Sequence, residues 1–471
     1  MSVWNSLIRP FVVSLSNHER SNDRRPSTSS GPTVITAQEH TAPLLLHGAI
    51  SVLCTAAAMT LSQSARADDS APGEPKSRAV DLGYKTRVVG ESHGLRGDSI
   101  FAPGIPLTTF GQDRARVEEE VRGRIAQVSV LLTATEYFQE ARHPSGKIVV
   151  NETYVDFGAG ENRYSAGKKI LSGDVAYGFR PIDVIQRESR LQVLAPALEG
   201  IPNLAWERFS ADAAWSLILA NPGSGKRGLA RDDGSVATRV YQRSGVTDLH
   251  GVARYSQRNG VEAGAAFSAV PNQNLELHGS LLIQTRGEKQ APLAQPASIP
   301  DLLNPDRVLA TQIVHVPKKV LAGFTYTTDN GWSFLGEAWW DGTAPTGADW
   351  KSLTAQTMQR NALTGAPGIP AIAVPGSIAA STRMFQLASY SRRTALAHVS
   401  WTDPAASGWS ATLDVLRALE DGGWSATVAG AWESDRLRID AGVRRFGGHA
   451  DSAYGMLPER YIVFVGASFA F

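Results

Sequence analysis

Cysteine is all but missing from this chain. Cys54 is the single one among 471 residues, so no disulfide framework and no paired-thiol chemistry can form. A surplus of charge is missing as well: 46 basic residues against 45 acidic ones leave a formal net charge of +1. That balance lacks the electrostatic footprint of a nucleic-acid partner. The ten histidines show no His-x-x-x-His spacing that would set two imidazoles on one helical face, so no metal and no cofactor is implied. No Gly-x-Ser-x-Gly elbow occurs. Gly223-Ser-Gly-Lys226 is followed by Arg227 where a phosphate loop needs Ser or Thr, and it reads as a turn. No catalytic cluster emerges, and the chain is not expected to be an enzyme.

Long apolar runs are scarce too. Only residues 42–61 could pass for a membrane helix, and His47 interrupts them. Ala65 and Ala67 stand directly before Asp68, so 42–67 reads as a secretory signal peptide cut after Ala67. Cys54 falls inside that segment, with Leu53 where lipid attachment needs a small residue. Residues 1–41 fit neither signal nor fold. The run Arg9-Pro-Phe-Val-Val-Ser-Leu-Ser-Asn-His-Glu-Arg20 resembles translated intergenic repeat sequence, and 1–41 is expected to be a non-native upstream extension. His18 belongs to that run, outside any mature protein.

Period-two alternation is what the chain has in plenty. In the final run, Tyr461-Ile-Val-Phe-Val-Gly-Ala-Ser-Phe-Ala-Phe471, the residues Tyr461, Val463, Val465, Ala467, Phe469 and Phe471 share one face of an extended strand. Its length suits a tilted strand crossing a bilayer, roughly 9–11 residues. The run resembles the closing strand of Gram-negative outer-membrane β-barrels. That resemblance implies that Phe471 is read by the barrel-assembly machinery.

The same texture recurs upstream as hairpins. Residues 320–327 lead through Asp329-Asn-Gly331 into 332–339, and the Asn-Gly pair predicts a tight primed turn with positive φ at both central positions. Residues 393–401 are expected to pair with 409–419. Residues 424–433 turn at Ser434-Asp435 into 436–446. Further strands are read at 117–123, 128–138, 148–157, 204–210, 213–219, 249–255, 261–270 and 275–285. Tyr137, Phe138, Trp206, Trp215, Trp332, Trp339, Trp340, Trp401, Trp409, Trp424 and Trp432 lie near strand ends, where an interfacial aromatic girdle would sit.

The fold class these features predict is all-β: a transmembrane antiparallel β-barrel of roughly 16 strands, within a range of about 14–18, with no separate plug domain. A mean hydropathy of −0.16 agrees, because lipid-facing and lumen-facing residues average out. A soluble sandwich also alternates, but its dry core would be poorly filled by so many small apolar residues. Residues 68–113 are expected to hold an N-terminal extension and the first strand, and 114–471 the barrel. Three segments lack strand texture: 180–203, 288–317 and 342–382. They read as long loops, one of them folded into the lumen.

Candidate functional residues then lie on the inner wall. In the last-but-one strand Leu437, Ile439, Ala441 and Val443 face one way, while Arg436, Arg438, Asp440 and Arg444 face the other. Charged bands of this kind tune ion selectivity, although an arginine–carboxylate ladder that fills space satisfies the same pattern. A second candidate is Gly167-Lys-Lys-Ile-Leu-Ser-Gly-Asp-Val-Ala-Tyr-Gly-Phe-Arg-Pro-Ile-Asp-Val-Ile185, passing into an irregular segment with Arg187 and Glu188. It resembles a strand-plus-loop signature of large outer-membrane channels of the alginate-export and uptake type. Ser172-Gly173 stands where those families often have tryptophan. The resemblance implies that Lys168, Lys169, Arg180 and Asp183 lie near a constriction. His250, His278 and His398 read as single lumen-side histidines.

The expected function is an outer-membrane channel of a Gram-negative bacterium, passing small solutes or a polymer without energy input. Alternatives are a closed or gated barrel in a dedicated export system, a scaffold or adhesin, and an outer-membrane hydrolase. Expected partners are outer-membrane lipid and lipopolysaccharide, and a homotrimer is one assembly left open.

Overall fold

Alternating runs with no helical period become strands wherever both faces can be satisfied, one by neighbours and one by its surroundings. The computed structural model describes residues 80–140, 142–186, 193–222, 233–293 and 296–471. The signal segment, the upstream extension, Cys54, Arg187, Glu188 and the glycine-rich turn at 223–226 lie outside the described residues.

Twenty strands are described: β1 (Val80–Leu95), β2 (Arg114–Ile125), β3 (Val128–Gln139), β4 (Ser145–Ala159), β5 (Asn162–Lys169), β6 (Ile201–Phe209), β7 (Ala213–Ala220), β8 (Ser235–Ser244), β9 (Thr247–Ser256), β10 (Gly260–Asn272), β11 (Leu275–Gln284), β12 (Arg286–Pro292), β13 (Leu309–His315), β14 (Lys318–Thr327), β15 (Trp332–Asp341), β16 (Arg393–Thr402), β17 (Trp409–Ala418), β18 (Trp424–Glu433), β19 (Leu437–Gly447) and β20 (Glu459–Ala470). Eighteen of them form one antiparallel sheet, and β12 and β13 form a separate hairpin. Each sheet strand pairs with its sequence neighbours. β1 pairs with both β2 and β20, which closes the ring. The amide of Phe471 donates to the Tyr84 carbonyl at 2.9 Å and seals the seam. Closure leaves no unpaired sheet edge.

The barrel therefore has two strands more than the central expectation of roughly 16, and sits at the top of the expected range. The two staves without a counterpart among the strands read from the sequence are β5, eight residues long, and β8, ten residues long. The turns at one end of the barrel span two to six residues. At the other end the connections include 96–113, 170–200, 285–317 and 342–392.

Alternation sorts the residues as expected. On β20, Tyr461, Val463, Val465, Ala467 and Phe469 point outward, while Phe464 and Gly466 are buried inside. The outer wall exposes large apolar side chains all round, with Leu217 at 50%, Val261 at 57% and Val465 at 54%. At the short-turn end it carries an aromatic band built from cross-strand pairs: Trp332 with Trp401, Trp409 with Trp432, Tyr164 with Trp206 and with Phe157. Trp339 is a correction. Its parity turns it inward, where it is buried against Leu321 and Leu396.

Two further expectations change. Of the Asn330-Gly331 pair only Gly331 has positive φ, +85°. The hairpin closes as a four-residue turn, with the Thr328 amide on the Trp332 carbonyl at 2.8 Å, rather than as a primed two-residue turn. The segments read as loops are also more ordered. Segment 342–382 holds helices, and 288–317 lies largely within the β12–β13 hairpin and its helical link, α1 (Ile299–Leu303). α2 (Gly347–Asn361) starts in a capping box between Thr346 and Asp349. Together with α3 (Ala373–Ser381) and α4 (Ala453–Met456), it packs around a core that includes Phe101, Trp350, Leu353, Ile378, Phe385 and Tyr454. The core also takes in Ala418 at the long-connection end of β17.

Candidate functional site

The residues 170–186 run from the end of β5 into the barrel interior. Leu171, Ile182, Val184 and Ile185 bury themselves against inward side chains of β6 to β11: Ile201, Ala205, Ile218, Ala220, Ala237, Val252, Ala266 and Leu282. Small residues make the room. A methyl on Gly264 would meet Ile182 at 2.8 Å.

Two carboxylates fold this segment back on itself. Asp183 accepts the Gly173 amide at 2.7 Å, and Asp174 accepts the Ile182 amide at 2.8 Å. The reciprocal pair closes the stretch 173–183 into a loop. Burial, with Asp183 nearby as a further contributor, pushes the Asp174 carboxyl up to about 6, against the pull of the Ile182 and Ala176 amides.

The tip of that loop, Ala176 to Phe179, reaches the wall formed by β14, β15 and β16. There Glu337 of β15 accepts the amides of Tyr177 at 2.6 Å and Gly178 at 2.7 Å, one on each oxygen. His278 of β11 places Nε2 3.0 Å from the same carboxylate. The two meet across β14 because Gly323 stands between them in register. A methyl there would lie 2.4 Å from the imidazole. Phe179 stacks on Trp339 at 5.6 Å, with the ammonium of Lys319 over its ring. Tyr177 lies 4.9 Å from the ring of His398, whose Nδ1 is 2.8 Å from Asp414.

The returning residues 193–200 touch yet another side. Leu194 packs on Val89 of β1 and Phe464 of β20, and Arg87 donates to the Ala195 carbonyl at 2.8 Å. Asn151 of β4 holds the Leu198 carbonyl at 3.1 Å. The stretches 170–186 and 193–200 thus contact the inner wall on opposite sides of the barrel.

Charge on the inner wall is concentrated on β19, β1 and β2. Arg438 meets Asp440 and Glu433 at 2.8 Å each. Arg116 lies 3.2 Å from Glu118 and 3.9 Å from Glu91, and Arg87 lies 3.7 Å from Glu118. His93 sits between Glu459 at 2.9 Å and Glu91 at 3.2 Å. Across the barrel, Arg254 pairs with Glu262 and Asp233.

The eight sequence candidates divide accordingly. Arg438, Asp440 and Arg444 face inward on β19, and Arg444 donates to Thr427 at 2.8 Å. Lys169 faces inward, 3.6 Å from Asp156 and over the ring of Tyr154. Arg180 and Asp183 belong to the inserted loop and staple it, 3.5 Å apart. Arg436 lies exposed in the turn just before β19, where its carbonyl accepts the Ala470 amide at 2.9 Å. Lys168 is a correction, since it pairs in register with Thr153 and Pro202 on the outer face, with its ammonium on Glu199 at 2.7 Å. The ladder through Arg87, Glu91, Arg116 and Glu118, and the anchor at Glu337, did not stand out in the sequence. Strand parity alone could have flagged Glu337 as a carboxylate opposite Gly323.

Among the described residues no helix is long and apolar enough to cross a membrane, which says nothing of strands. No family model matches this chain, and no curated protein does. Among solved structures, it is similar to Pseudomonas aeruginosa OccK5 (OpdH), at 8% identity over 83% of this chain and 98% of that one, with a TM-score of 0.46. It is similar to Pseudomonas aeruginosa OccD3 (OpdP) at 8% identity, over 84% and 91%, with a TM-score of 0.47. A variant of the Rh. blastica porin gives 8%, 83%, 100% and 0.38. Values this low carry nothing about solute or assembly.

Proposed function

We propose that this chain is a passive diffusion channel of the Gram-negative outer membrane, for small solutes, with 80–471 as its barrel. The observation that carries the reading is the opposition of the two barrel faces. The outer wall is an apolar band with an aromatic girdle, whereas the inner wall is lined with ion pairs. A closed barrel with that polarity suits a bilayer outside and water inside. Short turns at one end and long connections at the other match periplasmic and external ends respectively.

In this reading the loop 173–183 narrows the lumen. Arg438, Asp440 and Arg444, with Arg87 and Arg116 beside them, line the passage and filter by charge. Phe471 would serve recognition by the assembly machinery. Single-channel recording of the refolded chain in a planar lipid bilayer tests the proposal. Discrete ohmic steps are expected. A protein that shifts on gels when heated, as folded barrels do, yet stays electrically silent would overturn it.

A further inference from the structure

Four arginines gather on the outer wall at the long-connection end. Arg417 points outward from β17, Arg445 from β19, and Arg460 and Arg96 flank the β20–β1 pair. They line a groove of about 660 Å³ together with Trp424 and His449. The ring of Trp424 lies over Gly447, where a methyl would be 2.5 Å away, and that of Tyr461 lies over Gly94, at 2.3 Å. Arg445 pairs with Tyr461 in register.

Counter-charge is sparse. Arg460 comes no closer than 3.9 Å to Asp98, and both are mostly exposed. Arg96 gives one N–H to the Phe446 carbonyl at 3.4 Å, while its buried Nε has no partner. Among the described residues Arg417 and Arg445 make no ion pair. Burial lowers the proton affinity of Arg96. Asp98 opposes that shift, and Arg460 and Arg445 add to it by repulsion. Like charges held this close are stabilised by a bound anion.

Lower on the wall, across β20, β1 and β2, the surface is hollowed. Gly90 and Ser92 of β1 and Ala115 of β2 floor a second groove of about 680 Å³, between Val463 and Val465 on one side and Phe138 on the other. Ser92 pairs with Val463 and Gly90 with Val465, so this second groove begins one step below the Tyr461–Gly94 pair, which separates it from the arginines. Its upper margin carries Asp113, Arg114, Glu140 and Arg142.

The geometry points to a built site for a phosphorylated, acylated glycolipid, with phosphate on the arginines and an acyl chain in the groove. The inference rests on the membrane reading above, in which this end of the barrel is the external one. From β17 to β1 there are four strand spacings, roughly 19 Å, which is too wide for one phosphate and suits a headgroup bearing two. A guanidinium is the side chain best matched to phosphate.

The test is native mass spectrometry of the full chain, refolded in neutral detergent and titrated with bisphosphorylated lipid A. One retained lipid per chain is expected. Arg96→Gln with Arg445→Gln and Arg460→Gln should weaken retention at least about tenfold. Ser92→Leu, which fills the lower groove and spares the arginines, should weaken it too. Retention that neither variant changes overturns the inference. Displacement by excess inorganic phosphate, or equal retention of phosphatidylglycerol, assigns the arginines to anions at large and overturns the glycolipid. Conductance in phosphatidylcholine bilayers separates the two proposals. A wild-type chain that conducts but keeps no lipid A sinks only this one, and a chain that never inserts sinks the channel.

Discussion

Glu337 and Gly178 are joined across 159 positions of sequence, amide to carboxylate at 2.7 Å. That bond and its twin from Tyr177 fix the tip of an inserted loop to the far wall of the barrel. Gly178 is needed there: a methyl would meet Leu396 at 2.6 Å and the Glu337 carboxylate at 3.0 Å.

Removing the anchor should free the tip. In Glu337→Ala two backbone amides and His278 lose a buried acceptor, and each such loss costs about 1–3 kcal/mol. Larger and noisier conductance steps are expected, with the heat-dependent gel shift of the barrel unchanged. Steps identical to wild type would show that the loop does not narrow the path.

Protonation should tighten the same loop. The Asp174 carboxyl is raised to about 6, above its ordinary value near 3.9. The native state therefore binds the extra proton between those two pH values, so loop seating weakens as pH rises through that window and levels off above it. Protection of the Tyr177 and Gly178 amides, corrected for intrinsic exchange, should be greater at pH about 5 than at about 7.5. Asp174→Asn should abolish the difference.

The β19 arginines make a claim about ion preference. Arg438→Gln and Arg444→Gln should each shift reversal potentials in a salt gradient toward cations. Arg436→Gln, in an exposed turn, should leave them unchanged. Equal effects from all three would mean that the inner wall does not set selectivity.

The helical cap depends on its first turn. Thr346 and Asp349 cap α2 reciprocally, and Lys289 of β12 reaches Asp349 at 2.9 Å. Thr346→Ala should cost about 1 kcal/mol locally, visible as faster hydrogen exchange in α2. Burial pushes the Asp349 carboxyl up, but the Thr346 hydrogen bonds and the Lys289 ammonium outweigh it and hold it low. Its contribution is therefore present above the ordinary carboxylate range and lost as pH falls below it, opposite in sign to Asp174.

Much of the barrel was legible because its signal is local. The side chains of residues 461 to 471 sort by parity, and the outward set is the one alternation names. Lys168 shows where the resemblance misleads, since period-two spacing itself sets neighbouring residues on opposite faces. Gly167 takes φ of +132° beside it, and the register puts Lys168 outside and Lys169 inside, although the sequence presents them as a pair. Arg436 ends up in the turn, because the strand begins one residue later than alternation suggests. The helices of 342–382 escaped notice because prolines and glycines between them read as loop.

By itself the sequence determined most of the strands, the alternation of their faces and the terminal aromatic face, since each follows from period-two spacing within a dozen residues. Only the tertiary structure decided that β1 and β20 close a ring of eighteen, that 170–186 enters the interior, and that Glu337 waits for Tyr177 and Gly178. Those outcomes depend on contacts between residues far apart in sequence, and strand spacing carries no record of them.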